Sequence, residues 1–188
     1  MFLLGITPGT GWDAPRWRAV LGSGIDGLLV REKQLEARAL LDLVHRVQDL
    51  APALELWVAA RLDVALAAGC GLHAPEAYPE VDPAMLPLSR PLHSEAQWEA
   101  RRGSAQLLFA PVLPTPGKGE PWGVRRLHAF LDRLPQAGPR LLALGGVAPG
   151  ALRDLAHPRL AGAAMIRALW EAPEPARAVV ALRAEWDR

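Results

Sequence analysis

Cysteine occurs once in the chain, at Cys70. No internal disulfide can form and no cysteine cluster can hold a metal, which fits a reducing compartment. Net charge is nearly absent: 21 Lys and Arg stand against 20 Asp and Glu. That balance excludes the broad positive field of a dedicated nucleic-acid binder and leaves room only for a local positive pocket. No apolar run reaches the length of a membrane span before charge, Gly or Pro breaks it. The opening MFLLGITPG has no basic residue and only a short apolar stretch, so it reads as a first strand and not as a signal peptide; a cytoplasmic protein is the expectation. No GxGxxG follows a strand, which removes the dinucleotide fingerprint.

What is present is apolar bulk. Hydrophobic residues make up 51% of 188, enough for a single well-filled domain over 1–188 and too few residues to divide easily into two. Short continuous apolar runs suit strands buried on both faces. They are expected at 2–7, 27–30, 54–58, 70–73, 85–89, 105–109, 140–144 and 161–166. Helical patterns fall between them, at 14–21, 36–50, 62–68, 94–102, 122–134, 149–156 and 175–186. The clearest is the second, where Leu40, Leu43, Val44 and Val47 share one face. Ser94 is expected to cap the fourth, and Pro149 to open the sixth. Eight such units close into a small (β/α)8 barrel, a TIM barrel. An open doubly wound sheet is the alternative.

In a barrel, the residues just past each strand converge on one mouth. Those positions hold Arg31, Glu32 and Lys33, then Arg61 and Asp63, His73, Arg90 and His93, Thr115 and Lys118, Gly145 and Gly146, and Arg167. The bias is positive and mostly arginine, suited to an anionic ligand such as a phosphate ester. Arg31 and Lys33, two residues apart, can both aim at such a ligand, or simply be solvated charge. Gly145-Gly146 lets a backbone approach an anion, or is a turn that needs positive φ. Thr115 and Lys118 sit on a loop stiffened by Pro111, Pro114, Pro116 and Pro121, which is either a binding loop or a rigid connection. His73 and His93 are the candidate acid–base groups, each with a structural role as the alternative. His128, His45 and His157 read as structural or surface residues. Trp57 reads as core, and Trp122 as a ring-stacking surface.

Several segments, in order, resemble the thiamin phosphate synthase superfamily with its TenI-like thiazole tautomerase branch. They are VREK at 30–33, ARLDVAL at 60–66, GLH at 71–73, SRPLHS at 89–94, APVLPTPGK at 110–118, LGGV at 144–147 and GAAMIRAL at 162–169. The resemblance implies a small barrel in thiamine biosynthesis. It implies Arg31 and Lys33 for diphosphate, Thr115 and Lys118 for phosphate or diphosphate, and Gly145, Gly146 and the Met165–Arg167 backbone for a thiazole phosphate.

Departures from the family pattern sort its two activities. The synthases use Mg²⁺, and the resemblance puts Ala59 and Ala60 where they carry Asn-Asp; alanine cannot coordinate a cation. Ala77 falls near a second acidic position, where only Glu76 or Glu80 could substitute. Pro91, Gly117 and Arg167 replace a serine, a threonine and a serine. The tautomerase branch needs no metal, but its catalytic histidine falls at Pro111. The expectation is therefore a metal-independent thiazole tautomerase with no cofactor, using His73 or His93. The alternatives are a Mg²⁺-dependent synthase and a non-catalytic binding protein. A small phosphate ester is the expected partner, with no nucleic acid and no membrane, and a homodimer is compatible with the apolar helix faces.

Overall fold

The apolar runs pair in parallel in sequence order, and the last closes on the first in a computed structural model that describes residues 1–187. The strands are β1 Phe2–Ile6, β2 Gly27–Val30, β3 Glu55–Ala59, β4 Gly71–His73, β5 Leu88–Leu92, β6 Gln106–Phe109, β7 Arg140–Leu144 and β8 Gly162–Met165. Outside lie α1 Ala14–Leu21, α2 Ala37–Leu50, α3 Leu62–Ala68, α4 Trp98–Arg101, α5 Val124–Leu131, α6 Arg167–Trp170 and α7 Pro175–Trp186. The chain is a (β/α)8 barrel and not an open sheet, because β8 pairs with β1 from Phe2↔Gly162 to Gly5↔Met165. No helix among the described residues is long and apolar enough to cross a membrane.

Alternation along each strand divides the apolar residues between two cores. One set faces the helices, including Leu3, Leu28, Val30, Val58, Leu72, Leu107 and Phe109. The other fills the barrel: Leu4, Ile6, Leu29, Trp57, Leu108, Leu142 and Ala164. So narrow a tube needs small residues beside large ones. A Cβ on Gly71 would enter the Trp57 ring, and one on Gly162 would run into the Phe2 backbone. Trp57 is barrel core, as its run of apolar neighbours suggests, and is 2% exposed.

Four expectations need correction. The fifth strand is Leu88–Leu92, not 85–89; Met85 instead closes a turn onto the Asp82 carbonyl and is exposed. Pro91 fits inside it because β4 has already ended, pairing only Leu72↔Leu88 and His73↔Ser89 on that side. A missing N–H costs nothing where no neighbouring carbonyl waits for it. The segment after it is a 3₁₀ turn, Glu95–Gln97, followed by the short α4, and the Ser94 side chain caps nothing. Instead the Gln97 side-chain oxygen Oε1 accepts from the His93 backbone N–H at 2.8 Å. The helix expected from Pro149 reduces to a 3₁₀ turn at Arg153–Leu155, with Gly150 at φ 93° ahead of it. α6 has no counterpart in the sequence reading, which ends the eighth strand at 166 and places no helix between there and 175.

Replacing Gly162 with alanine tests how tightly β1 and β8 are locked. The added methyl group has only backbone to displace, so stability should fall by about 3 kcal/mol. The urea midpoint should drop with its slope unchanged.

Candidate active site

The carboxyl ends of the strands surround a cavity of about 840 Å³. Its floor is apolar, formed by Ile6, Leu29, Leu108, Leu144 and Ala164. The nine candidate residues all lie on its wall: Arg31, Lys33, His73, His93, Thr115, Lys118, Gly145, Gly146 and Arg167. Three residues that were expected at the mouth do not. Arg90 lies within β5 and turns away from the axis, because the inward positions of that strand are Ser89 and Pro91. Arg61 and Asp63 pair with each other outside the cavity, Nη2 to Oδ2 at 2.7 Å. That hydrogen bond holds the Asp63 carboxyl below its usual range.

The β1 and β2 ends are fixed to each other. The Thr7 hydroxyl oxygen accepts from the Arg31 N–H at 2.8 Å, which sets the backbone from which Arg31 projects. Glu32 is 3% exposed and serves the chain's own backbone. Its carboxylate accepts from the N–H groups of Gly9 (3.2 Å) and Gly11 (2.8 Å) and from Gln34 Nε2 (2.8 Å). This loop-fastening role was missed, because a backbone N–H more than 20 residues away leaves no side-chain signal. The Pro-rich loop after β6 is fastened in a similar way. Val112 N–H donates to the Leu144 carbonyl (2.8 Å) and Leu113 N–H to that of Gly145 (3.1 Å).

Gly145 and Gly146 have φ of 99° and 72°. A Cβ on Gly145 would lie 2.8 Å from Pro111 Cβ, and one on Gly146 2.5 Å from Leu113 Cβ. Both glycines are therefore required by the turn and by the loop packed over it. Thr115 donates its hydroxyl proton to the Leu113 carbonyl at 2.9 Å. Trp122 is no stacking surface: it is 3% exposed, packs on Phe109 and Phe130, and donates to the Leu92 carbonyl.

The charges on the wall are unequally engaged. No carboxylate lies within 4.0 Å of Arg31, Lys33, Lys118 or Arg167 among the described residues. Glu76 accepts from Arg101 through both oxygens, at 2.7 and 3.0 Å, and from Gln97 Nε2 at 2.8 Å. The Arg101 hydrogen bond keeps its carboxyl below the usual range. The donor set does not suit a divalent cation. Ala59 and Ala60 offer no oxygen side chain, Glu32 is spent on amides, Glu76 is held by arginine, Glu80 lies off the wall, and Glu171 on the wall belongs to no group of three or more potential ligands among the described residues. Hard cations such as Mg²⁺ need free oxygen ligands.

The two histidines differ. His93 is partly exposed, and its Nδ1 meets the Ala110 carbonyl oxygen. A carbonyl only accepts, so Nδ1 carries a proton, and in the neutral ring the lone pair is on Nε2. That Nε2 stands 3.7 Å from the Glu76 carboxylate. His73 closes β4 with Nδ1 3.0 Å from Ser89 Oγ. Burial, and then the Arg31 and His93 charges, push its imidazole down to about 4. Of the others, His45 is exposed, while His128 and His157 lie outside the cavity wall with tilted rings 4.9 Å apart, and His157 is more enclosed than a surface turn suggests.

Residues 13–169 match the thiamine monophosphate synthase family. The chain belongs to that family. It is 32% identical over 182 residues to a Geobacter sulfurreducens protein provisionally named thiamine-phosphate synthase, covering 86% of this chain and 83% of that one. It is 29% identical over 181 residues to the thiamine-phosphate synthase of Anaeromyxobacter dehalogenans, covering 90% and 81%. Among solved structures, the thiamine phosphate pyrophosphorylase of Pyrococcus furiosus superposes with a TM-score of 0.84 over 99% of this chain and 95% of its own, at 21% identity. That last likeness is one of fold.

The depressed His73 value carries a pH signature. An unfolded histidine takes its proton near pH 6.5, the folded one near 4. Between these values the unfolded chain binds more protons, so stability falls as pH falls through this window and levels off below it. In His73→Gln, the urea midpoint plotted against pH should lose part of this acid slope.

Proposed function

We propose that the cavity binds a small phosphorylated ligand of thiamine biosynthesis, a thiazole phosphate, and shifts a proton on it without a metal: a thiazole tautomerase. The observation that carries this reading is two uncharged-capable imidazoles on the same wall as four cations free of carboxylate partners. Arg31, Lys33, Lys118 and Arg167 would meet the phosphate and carboxylate, with Thr115 and the Gly145-Gly146 turn beside them. The apolar floor would take the ring.

The proton transfer is a single-base cycle. His93 Nε2 takes a proton from one atom of the ring system and returns it to another, so no proton is lost or gained overall. While it holds that proton, the ionised Glu76 carboxylate 3.7 Å away favours the imidazolium. His73, neutral at pH 7, donates a hydrogen bond to the negative charge that develops on the ligand, as neutral imidazoles do in proton-shifting barrels. A Mg²⁺-dependent thiamin phosphate synthase is the second reading, favoured by the names of the relatives. It runs against the alanines at 59 and 60, since a departing diphosphate needs its charge balanced. A binding protein without turnover shares the cation wall and differs only in the histidines' role.

Calorimetry with thiazole carboxylate phosphate, in EDTA and in Mg²⁺, followed by a proton-exchange assay separates the three. The expected result is equal binding in both buffers with exchange. His93→Gln should cut exchange by about 10²–10⁴-fold and His73→Gln by about 10²–10³-fold. Arg31→Gln should instead weaken binding by roughly 10–100-fold. Unchanged exchange when both histidines are replaced ends the tautomerase reading, and coupling of the two synthase substrates only with Mg²⁺ establishes its rival.

A further inference from the structure

A polar thread runs down the barrel axis from His73 to the opposite end, through residues no candidate site contained. Ser89 in β5 and Gln106 at the start of β6 are each 1% exposed. Gln106 Nε2 lies 3.3 Å from Ser89 Oγ, which lies 3.0 Å from His73 Nδ1. On the other side, Gln106 Oε1 is 3.5 Å from Arg140 Nη1, which bonds both Glu55 oxygens at 2.7 and 2.8 Å. Trp57 Nε1 donates to the same carboxylate at 3.0 Å.

We infer that Gln106, acting through Ser89, holds His73 as the Nε2–H tautomer with that proton toward the cavity, and is a positioning residue for the proposed reaction. The direction of every bond follows from the end of the thread. A guanidinium has donors and no acceptor, so the amide oxygen of Gln106 must face Arg140. Turning the amide round would set its NH₂ against an Arg140 nitrogen that already donates to both Glu55 oxygens, donor facing donor with no acceptor between them. The amide NH₂ therefore faces Ser89 and donates to its oxygen. Ser89 still has its own proton to place, and His73 Nδ1 is the acceptor within reach. A ring nitrogen that accepts carries no proton, so the neutral ring carries its proton on Nε2. That nitrogen has no partner among the described residues, on a side chain that lines the cavity. The ion pair at the barrel floor thus decides which histidine nitrogen bears hydrogen at its mouth.

The catalytic meaning of this arrangement rests on the tautomerase reading; the tautomer itself does not. Long-range nitrogen–proton correlation spectra of the full chain, labelled at histidine and assigned with His73→Gln, read it directly. Unmodified protein should show His73 with Nε2–H alone. In Gln106→Glu the new carboxylate cannot donate, so the Ser89 hydroxyl turns to it, Ser89 Oγ accepts from the ring, and His73 should switch to Nδ1–H. Ser89→Ala removes only the hydroxyl and should leave a mixture of the two forms, which keeps the test open if Gln106→Glu does not fold. Both variants should lower kcat for proton exchange by about 10-fold or more, with KM within about twofold. An Nδ1–H pattern in the unmodified protein, or the same tautomer in all variants, overturns the inference. If no thiazole exchange exists, the spectra still decide the tautomer, so the two readings fail separately.

Discussion

Closure of a very narrow barrel is the constraint on which the rest of this structure depends. Eight strands of three to five residues leave room inside for only a few rows of side chains. Trp57 can occupy that space because Gly71 on the next strand has no Cβ, and Phe2 because Gly27 and Gly162 flank it. Once those large residues are seated, strand register is fixed, and with it the parity of every inward position. The polar floor, the apolar middle and the charged mouth are successive rows of the same lattice. A slip of one residue in any strand would exchange its inward and outward side chains. In β5 it would replace Ser89 with Arg90 inside the barrel.

The positive mouth arises from pairing and not from composition. With a formal net charge of +1, the chain has almost as many acids as bases. Three acids even stand on the cavity wall, Glu32, Glu76 and Glu171. Two of them are already committed, Glu32 to backbone N–H groups and glutamine, Glu76 to Arg101. The arginines and lysines opposite have no such commitments. An anion entering the cavity therefore displaces water from these cations without first breaking an ion pair, which is the cheaper exchange.

The barrel was legible because its strands are short and apolar and mostly separated by helical patterns, and such runs keep their meaning whatever surrounds them. The candidate site was legible by the same token: residues past strand ends can be counted without knowing any contact. What could not be read depended on distant partners. The sequence reading puts the fifth strand three residues too early, and only the early end of β4 shows why Pro91 is harmless inside it. The segment at 149–156 had a helix-opening proline, but Gly150 at positive φ turns the chain instead. Glu32 looked like a charge at the mouth and is a buried fastener. Gln106 and Ser89 left a trace, since polar residues in buried strands need partners. Glu55 and Arg140 left another, as opposite charges at the starts of their strands. Joining the four required strand order and register.

The departures from the family pattern are mutually consistent when charge is followed. Having Ala59 and Ala60 where the family pattern has Asn-Asp removes oxygen ligands for a divalent cation, and with them any neutralisation of a diphosphate leaving group. It also removes negative charge from beside Arg31 and His73, leaving the wall more attractive to an anion that stays bound. A proton shift asks less of its surroundings than a diphosphate displacement, because no charged group departs. It needs a base with a free lone pair and a donor that stays neutral. In the proposed reaction His93, whose Nδ1 meets the Ala110 carbonyl, would be that base, and His73, kept neutral by burial, that donor. Ala60 itself sits at φ 58°, an uncommon conformation for alanine, with its N–H on the His73 carbonyl at 3.0 Å. The backbone at that corner therefore still braces the end of β4, where His73 stands, although its side chain has no oxygen left to offer a metal.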